Sequence, residues 1–153
     1  MKWMLSIFLM LPGFISYAQQ RIDTLPNPYR RAANTRGEKL YFVPGTGAVE
    51  TQTGKVIIRP GMRMLAGDED VPKVELPSTF FDLIDTTAAQ KASHMHFFYS
   101  ICTFNAKGDL LYHPQWFDNG PDYWVEGRRR FIENERMGLV NRLGQRIDPA
   151  RDY

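Results

Sequence analysis

Short apolar runs broken by glycine and closed by proline recur along the chain, most clearly in its C-terminal third. An aromatic-rich run, a glycine turn, a second apolar run and a proline appear at 97–114 and again at 130–149. Such runs match β-strands, and the glycines in Lys107-Gly108-Asp109 and Leu143-Gly144-Gln145 sit where tight hairpins need positive φ. Pro114 and Pro149 end strands where no further ladder donor is required. A similar alternation at 40–60 places strands at 40–43 and 55–59 around turns, the unit ending at Pro60. Repetition of small β-units implies stacking rather than a pocket built once.

Between these units the pattern weakens. Residues 61–77 read as a connecting loop with one short strand, carrying the acidic cluster Asp68-Glu69-Asp70. Residues 79–93 hold the one plausible helix, of one or two turns, with Ser78 or Thr79 as its cap. Residues 117–123 are dense in turn formers, Asn119-Gly120 above all. The predicted fold class is mainly β, built from short antiparallel β-hairpin repeats with at most one short helix. The organisation is a signal peptide (1–18), a polar N-terminal leader (19–39) and a β-repeat domain (40–153) with possible units at 40–60, 97–114 and 128–153.

The first eighteen residues carry Lys2, the apolar run 3–11 and the small-x-small site Ser16-Tyr17-Ala18, the pattern of a secretory signal. The apolar run is short of the roughly 20 residues that span a bilayer, and Pro12-Gly13 interrupts it. Export to the periplasm, the cell surface or the medium is therefore expected. The 19 basic and 17 acidic side chains nearly balance, and the signal removes only Lys2 from that tally. Nucleic acid is accordingly not an expected partner.

Candidate chemistry is sparse. Cys102 is the lone cysteine, so no intrachain disulfide can form, and its apolar neighbours imply a buried strand position rather than a nucleophile. His94-x-His96 with His113 is the best metal constellation, but it has no carboxylate partner at a fixed spacing, and a site of two packed or solvated histidines accounts for it better. Asp68-Glu69-Asp70 lacks the spacing of a calcium loop. Asp118 and Asp122 form the strongest acid pair for glycoside hydrolysis, yet the intervening Asn-Gly-Pro already explains both as turn residues. No catalytic residue, metal site or cofactor is predicted. The large rings that crowd 97–131 serve first as core; exposed ones would form a carbohydrate-stacking platform. The candidate binding face is Trp116, Tyr123, Trp124, Arg128 and Arg130, with strand alternation turning Arg129 to the side opposite its neighbours.

The run Gly138-Leu139-Val140-Asn141-Arg142-Leu143-Gly144-Gln145-Arg146-Ile147-Asp148-Pro149 resembles the bacterial WG (KWG-type) repeat, roughly G-L-I-D-x-x-G-x-x-V-I-P, with Met137 at the position of the namesake tryptophan. Gly47-Ala48-Val49 with the run from Gly54 to Pro60 is similar to a diverged copy. The resemblance implies a short or truncated exported β-repeat protein without known enzymatic activity, commonly assumed to mediate interactions. The expected function is an exported, non-catalytic binding or scaffolding module of the bacterial envelope. The alternative is a small envelope hydrolase using acidic or histidine side chains. Its expected partners are a protein or glycan of the envelope, with self-association through an exposed terminal strand.

Overall fold

The computed structural model describes residues 24–65, 71–91, 97–117 and 119–151. The signal segment, Asp68-Glu69-Asp70, His94, His96, Asp118 and Asp152-Tyr153 lie outside the described residues. Three antiparallel three-stranded meanders organise the described residues. The first consists of β1 (Leu40–Val43), β2 (Ala48–Thr51) and β3 (Val56–Ile58). Two short strands follow, β4 (Met62–Arg63) and β5 (Val74–Glu75), where the sequence pattern predicted one. The second meander is β6 (Phe80–Asp85), β7 (Ile101–Asn105) and β8 (Leu110–Pro114). A helix, α1 (Thr86–Lys91), and a 3₁₀ turn (Phe97–Ser100) stand between β6 and β7. After the small pair β9 (Trp116–Phe117) and β10 (Gly120–Pro121) comes the third meander, β11 (Arg128–Glu133), β12 (Arg136–Asn141) and β13 (Arg146–Arg151).

The expected helix is thus a strand over its first half. Phe81 and Leu83 alternate inward and pair in register with Phe104 and Cys102 of β7, and this burial outweighs local helical preference. The helix starts where the Asp85 carboxylate accepts the backbone N–H groups of Thr87 and Ala88, the arrangement of an N-cap. The middle unit accordingly begins at Phe80, ahead of the helix, rather than at Phe97.

Hydrogen bonding arranges the strands into a four-stranded sheet, β3-β2-β1-β5, and a seven-stranded sheet, β13-β12-β11-β8-β7-β6-β4. The two share one core. Leu40, Phe42, Val49 and Ile58 come from the first sheet; Leu83, Cys102, Phe104 and Leu110 come from the second. A separate cluster of Leu111, Tyr112, Phe131 and Val140, with Phe80 and Trp124 against it, holds the second and third meanders together. Residues 24–39, polar in composition, are laid across the seam between the sheets. Arg31 N–H donates to the Ile57 carbonyl and Arg59 N–H to the Tyr29 carbonyl, each at 2.8 Å, on the four-stranded side. Leu25 N–H reaches the Leu110 carbonyl at 2.9 Å on the other, while the Tyr29 ring meets Phe104 edge-on at 5.8 Å.

The last hairpin of each meander has the same construction. In 51–55, 105–109 and 141–145 the first residue's N–H donates to the fifth residue's carbonyl, at 2.9, 3.1 and 2.9 Å. The glycine N–H donates back to the first residue's carbonyl at 3.0, 2.9 and 2.9 Å. The side-chain oxygen of Thr51, Asn105 or Asn141 accepts the fifth residue's N–H at 3.2, 3.0 and 3.0 Å. Gly54, Gly108 and Gly144 have φ of 84°, 83° and 77°, a conformation that costs other L-residues about 1–2 kcal/mol. Register is equivalent as well. Glu50, Phe104 and Val140 face Val56, Leu110 and Arg146; one step further out, Val49, Thr103 and Leu139 face Ile58, Tyr112 and Asp148. The surplus residue in each bulge is Ile57, Leu111 or Ile147.

These bulge residues stack the units. A Cβ on Gly108 would lie 2.5 Å from Ile57 Cγ2, and one on Gly144 would lie 2.7 Å from Leu111 Cδ1, so each glycine is the seat of the preceding unit's bulge side chain. Among the described residues, a Cβ on Gly54 would meet nothing within 4 Å. Gly54→Ala should therefore carry only the backbone strain, about 1 kcal/mol. Gly108→Ala and Gly144→Ala should each cost a further 1–3 kcal/mol, roughly, for overpacking, read as shifts of urea midpoint at constant slope.

Candidate functional site

The predicted binding residues converge around one segment, 119–125, that is held by two consecutive arginines of β11. Because strand neighbours face opposite ways, Arg129 and Arg130 grip the segment from two sides. Arg129 Nε donates to the Asp122 carbonyl at 2.9 Å. Arg130 makes a fork to the Asp122 carboxylate, Nε to Oδ2 and Nη2 to Oδ1 at 2.9 Å each, and its backbone N–H adds a third bond to Oδ2. Burial alone would raise the Asp122 carboxyl, but the Arg130 hydrogen bonds and charge outweigh it and hold the group below the ordinary carboxylate range.

Arg129 also reaches across the sheet. Its Nη1 and Nη2 donate to the Asp82 carboxylate of β6 at 3.2 and 2.8 Å, and Thr103 Oγ1 donates to the same carboxylate at 2.5 Å. Arg129 is buried, and although burial opposes its charge, the bonds it donates to the Asp82 carboxylate keep the guanidinium protonated. Beside this pair the Tyr112 hydroxyl is buried, with no well-formed hydrogen bond to a described residue, and its pKa is raised by that burial. Above the pair lies Trp124, half-buried, with its ring 5.1 Å from that of Phe80 and with the Arg129 and Arg142 guanidiniums 5.8 and 5.9 Å from its centre.

The consequence is a projecting ring. Tyr123 is 64% exposed, next to Val125 at 65%, and two shallow depressions of about 260 and 270 Å³ lie against it. Asp122, Tyr123 and Arg129 line both; Trp124 lines one, and Arg128 and Arg130 the other. Arg128 is exposed. Arg130 is occupied by Asp122 and lies 4.8 Å from the centre of the Phe117 ring, so it builds the surface more than it offers a free charge. Trp116 is half-buried on β9. Asp82, Asp122 and Arg129, absent from the sequence-derived face, supply its support. The alternation of Arg128-Arg129-Arg130 already set Arg129 on the side opposite its neighbours, but no local signal named its partner 47 residues away.

Asp122, one half of the acid pair, is an ion-paired carboxylate that stays ionised rather than acting as a proton donor near neutral pH. Cys102 Sγ is 3.9 Å from His113 Nδ1, but that nitrogen carries the proton it donates to the Ile101 carbonyl at 2.7 Å. Burial pushes the thiol up to about 12 and His113 down, so the pair rests as thiol and neutral imidazole. Among the described residues no group of three or more His, Cys, Asp or Glu side chains is placed to hold a metal ion, and no helix is long and apolar enough to cross a membrane.

Arg129→Met should cost about 3–5 kcal/mol in chemical denaturation, because it strands the Asp82 carboxylate, whereas Arg128→Ala should stay within about 0.5 kcal/mol. The Asp122 contribution has a definite pH sign. Its folded pKa lies below the ordinary 3.8, so the stabilisation is complete above that value and is lost as pH falls through the folded one. The stability difference between the wild type and Asp122→Asn should hold constant from about pH 7 to pH 5 and shrink below about pH 4, as followed by urea titrations.

No protein-family model, curated protein or solved structure matches this chain.

Proposed function

We propose that the chain is an exported, non-catalytic β-repeat module of the bacterial envelope that binds a protein or glycan through the face around Tyr123. The observation that carries this reading is an exposed phenol on a braced loop. Tyr123 is not spent on the core, yet the backbone beneath it is tied down by Arg129 and Arg130. A ring held in place loses little conformational entropy on contact, which is why aromatic residues dominate binding hot spots. Its apolar neighbour Val125 and the exposed Arg128 add the mixed character of a recognition surface. The signal-like N-terminus and the WG-repeat resemblance of 138–149 support the envelope setting and the non-catalytic role.

Calorimetric titration with soluble peptidoglycan fragments and neutral oligosaccharides tests the glycan arm, and a photo-crosslinking residue in place of Val125 tests the protein arm. Tyr123→Ala should weaken whichever partner is found by about tenfold or more while leaving the melting temperature unchanged. Absence of glycan binding together with no specific crosslink in envelope preparations would remove the reading.

A further inference from the structure

We propose that Ile147 and the glycine of the 51–55 turn are the two open halves of a head-to-tail contact between copies of this chain. This goes beyond the Tyr123 face and is independent of it. Inside the molecule one rule operates twice: the bulge side chain of a unit seats on the turn glycine of the next, Ile57 on Gly108 and Leu111 on Gly144. Those two side chains are 0% and 2% exposed. Ile147 holds the same place in the third hairpin, with the same turn bonds and the same register, but is 48% exposed. At the opposite end Gly54 has the same left-handed turn and a seat that no described residue fills. A fourth seat of this shape would cover Ile147, and the chain itself displays one.

The strand edges decide how such a contact forms. In the second and third meanders the first strand is paired on its outer side by a strand from before it, β4 on β6 and β8 on β11. In the first meander that place is filled by β5, paired with β1 at Tyr41 and Phe42. Among the described residues β13 pairs with β12 alone; it carries Pro149 and that pairing is twice irregular, features that blunt strand addition. The contact is therefore a side chain in a seat rather than a continued sheet, and it belongs with small, weak interfaces. Leu143, 65% exposed in the same hairpin where the other two turns carry Thr53 and Lys107, widens the apolar end. Because donor and acceptor are different surfaces, the association is heterologous and does not stop at a dimer.

Sedimentation velocity on the purified chain over a range of concentrations tests this. The wild type should grow with concentration beyond dimer. Ile147→Asp, at an exposed position, should keep its melting temperature and lower the association constant by about tenfold or more. Gly54→Asn, a residue that tolerates left-handed φ, fills the seat and should do the same. Each variant retains the half that the other lacks, so an equimolar mixture should form a heterodimer and nothing larger. A wild type that stays monomeric to about millimolar concentration overturns the proposal, as does association that Ile147→Asp leaves unchanged. Two folded variants that fail to pair when mixed overturn it equally.

Discussion

Everything in this architecture depends on two places where a branched side chain lies so close to a turn glycine that a single added carbon would not fit. Ile57 on Gly108 and Leu111 on Gly144 set the distance and angle between successive meanders. The two junctions differ in every other respect. Between the second and third meanders the chain stays in one sheet, as β8 pairs with β7 and then, at His113 and Pro114, with β11. Between the first and second it turns at Pro60-Gly61 and places the meanders in facing sheets. A contact preserved through such different surroundings is the element that makes these units repeats, because interiors packed at crystal density tolerate few alternative seats.

The pair Arg129 and Arg130 shows how a chain without disulfides braces a loop. One arginine spends its charge inside the fold on Asp82 and the other near the surface on Asp122, and both end on the same short segment. Desolvation offsets much of the attraction within such a buried pair, whereas removing one partner leaves a buried charge uncompensated. Support and display are therefore the same structure at this face: what fixes Asp122 also presents Tyr123.

Hairpin turns were the most legible part of the sequence because their signal is local. Lys107-Gly108-Asp109 and Leu143-Gly144-Gln145 carry the need for positive φ in three residues. The strand Phe80–Asp85 was not legible, since its partner β7 follows only after α1 and the 3₁₀ turn, and a period-two pattern running into Thr86-Thr87-Ala88-Ala89 reads as the start of a helix. The role of residues 24–39 escaped for a related reason. They contribute mostly backbone donors and acceptors, which no side-chain pattern reveals, with Leu25 and Tyr29 as their main apolar anchors. At the site, strand alternation separated Arg129 from its two neighbours, whereas its burial and its partner Asp82 required the register of four strands, β6-β7-β8-β11.

Cys102 sits at 0% exposure between Phe81, Leu83 and Phe104 in the shared core, with its thiol held protonated. Thiol–disulfide exchange and peroxide attack both proceed through the thiolate, so a sulfur in this state is a poor substrate for either. The native fold is in consequence indifferent to redox poise: it owes nothing to an oxidising compartment and forms no mixed disulfide while it remains closed.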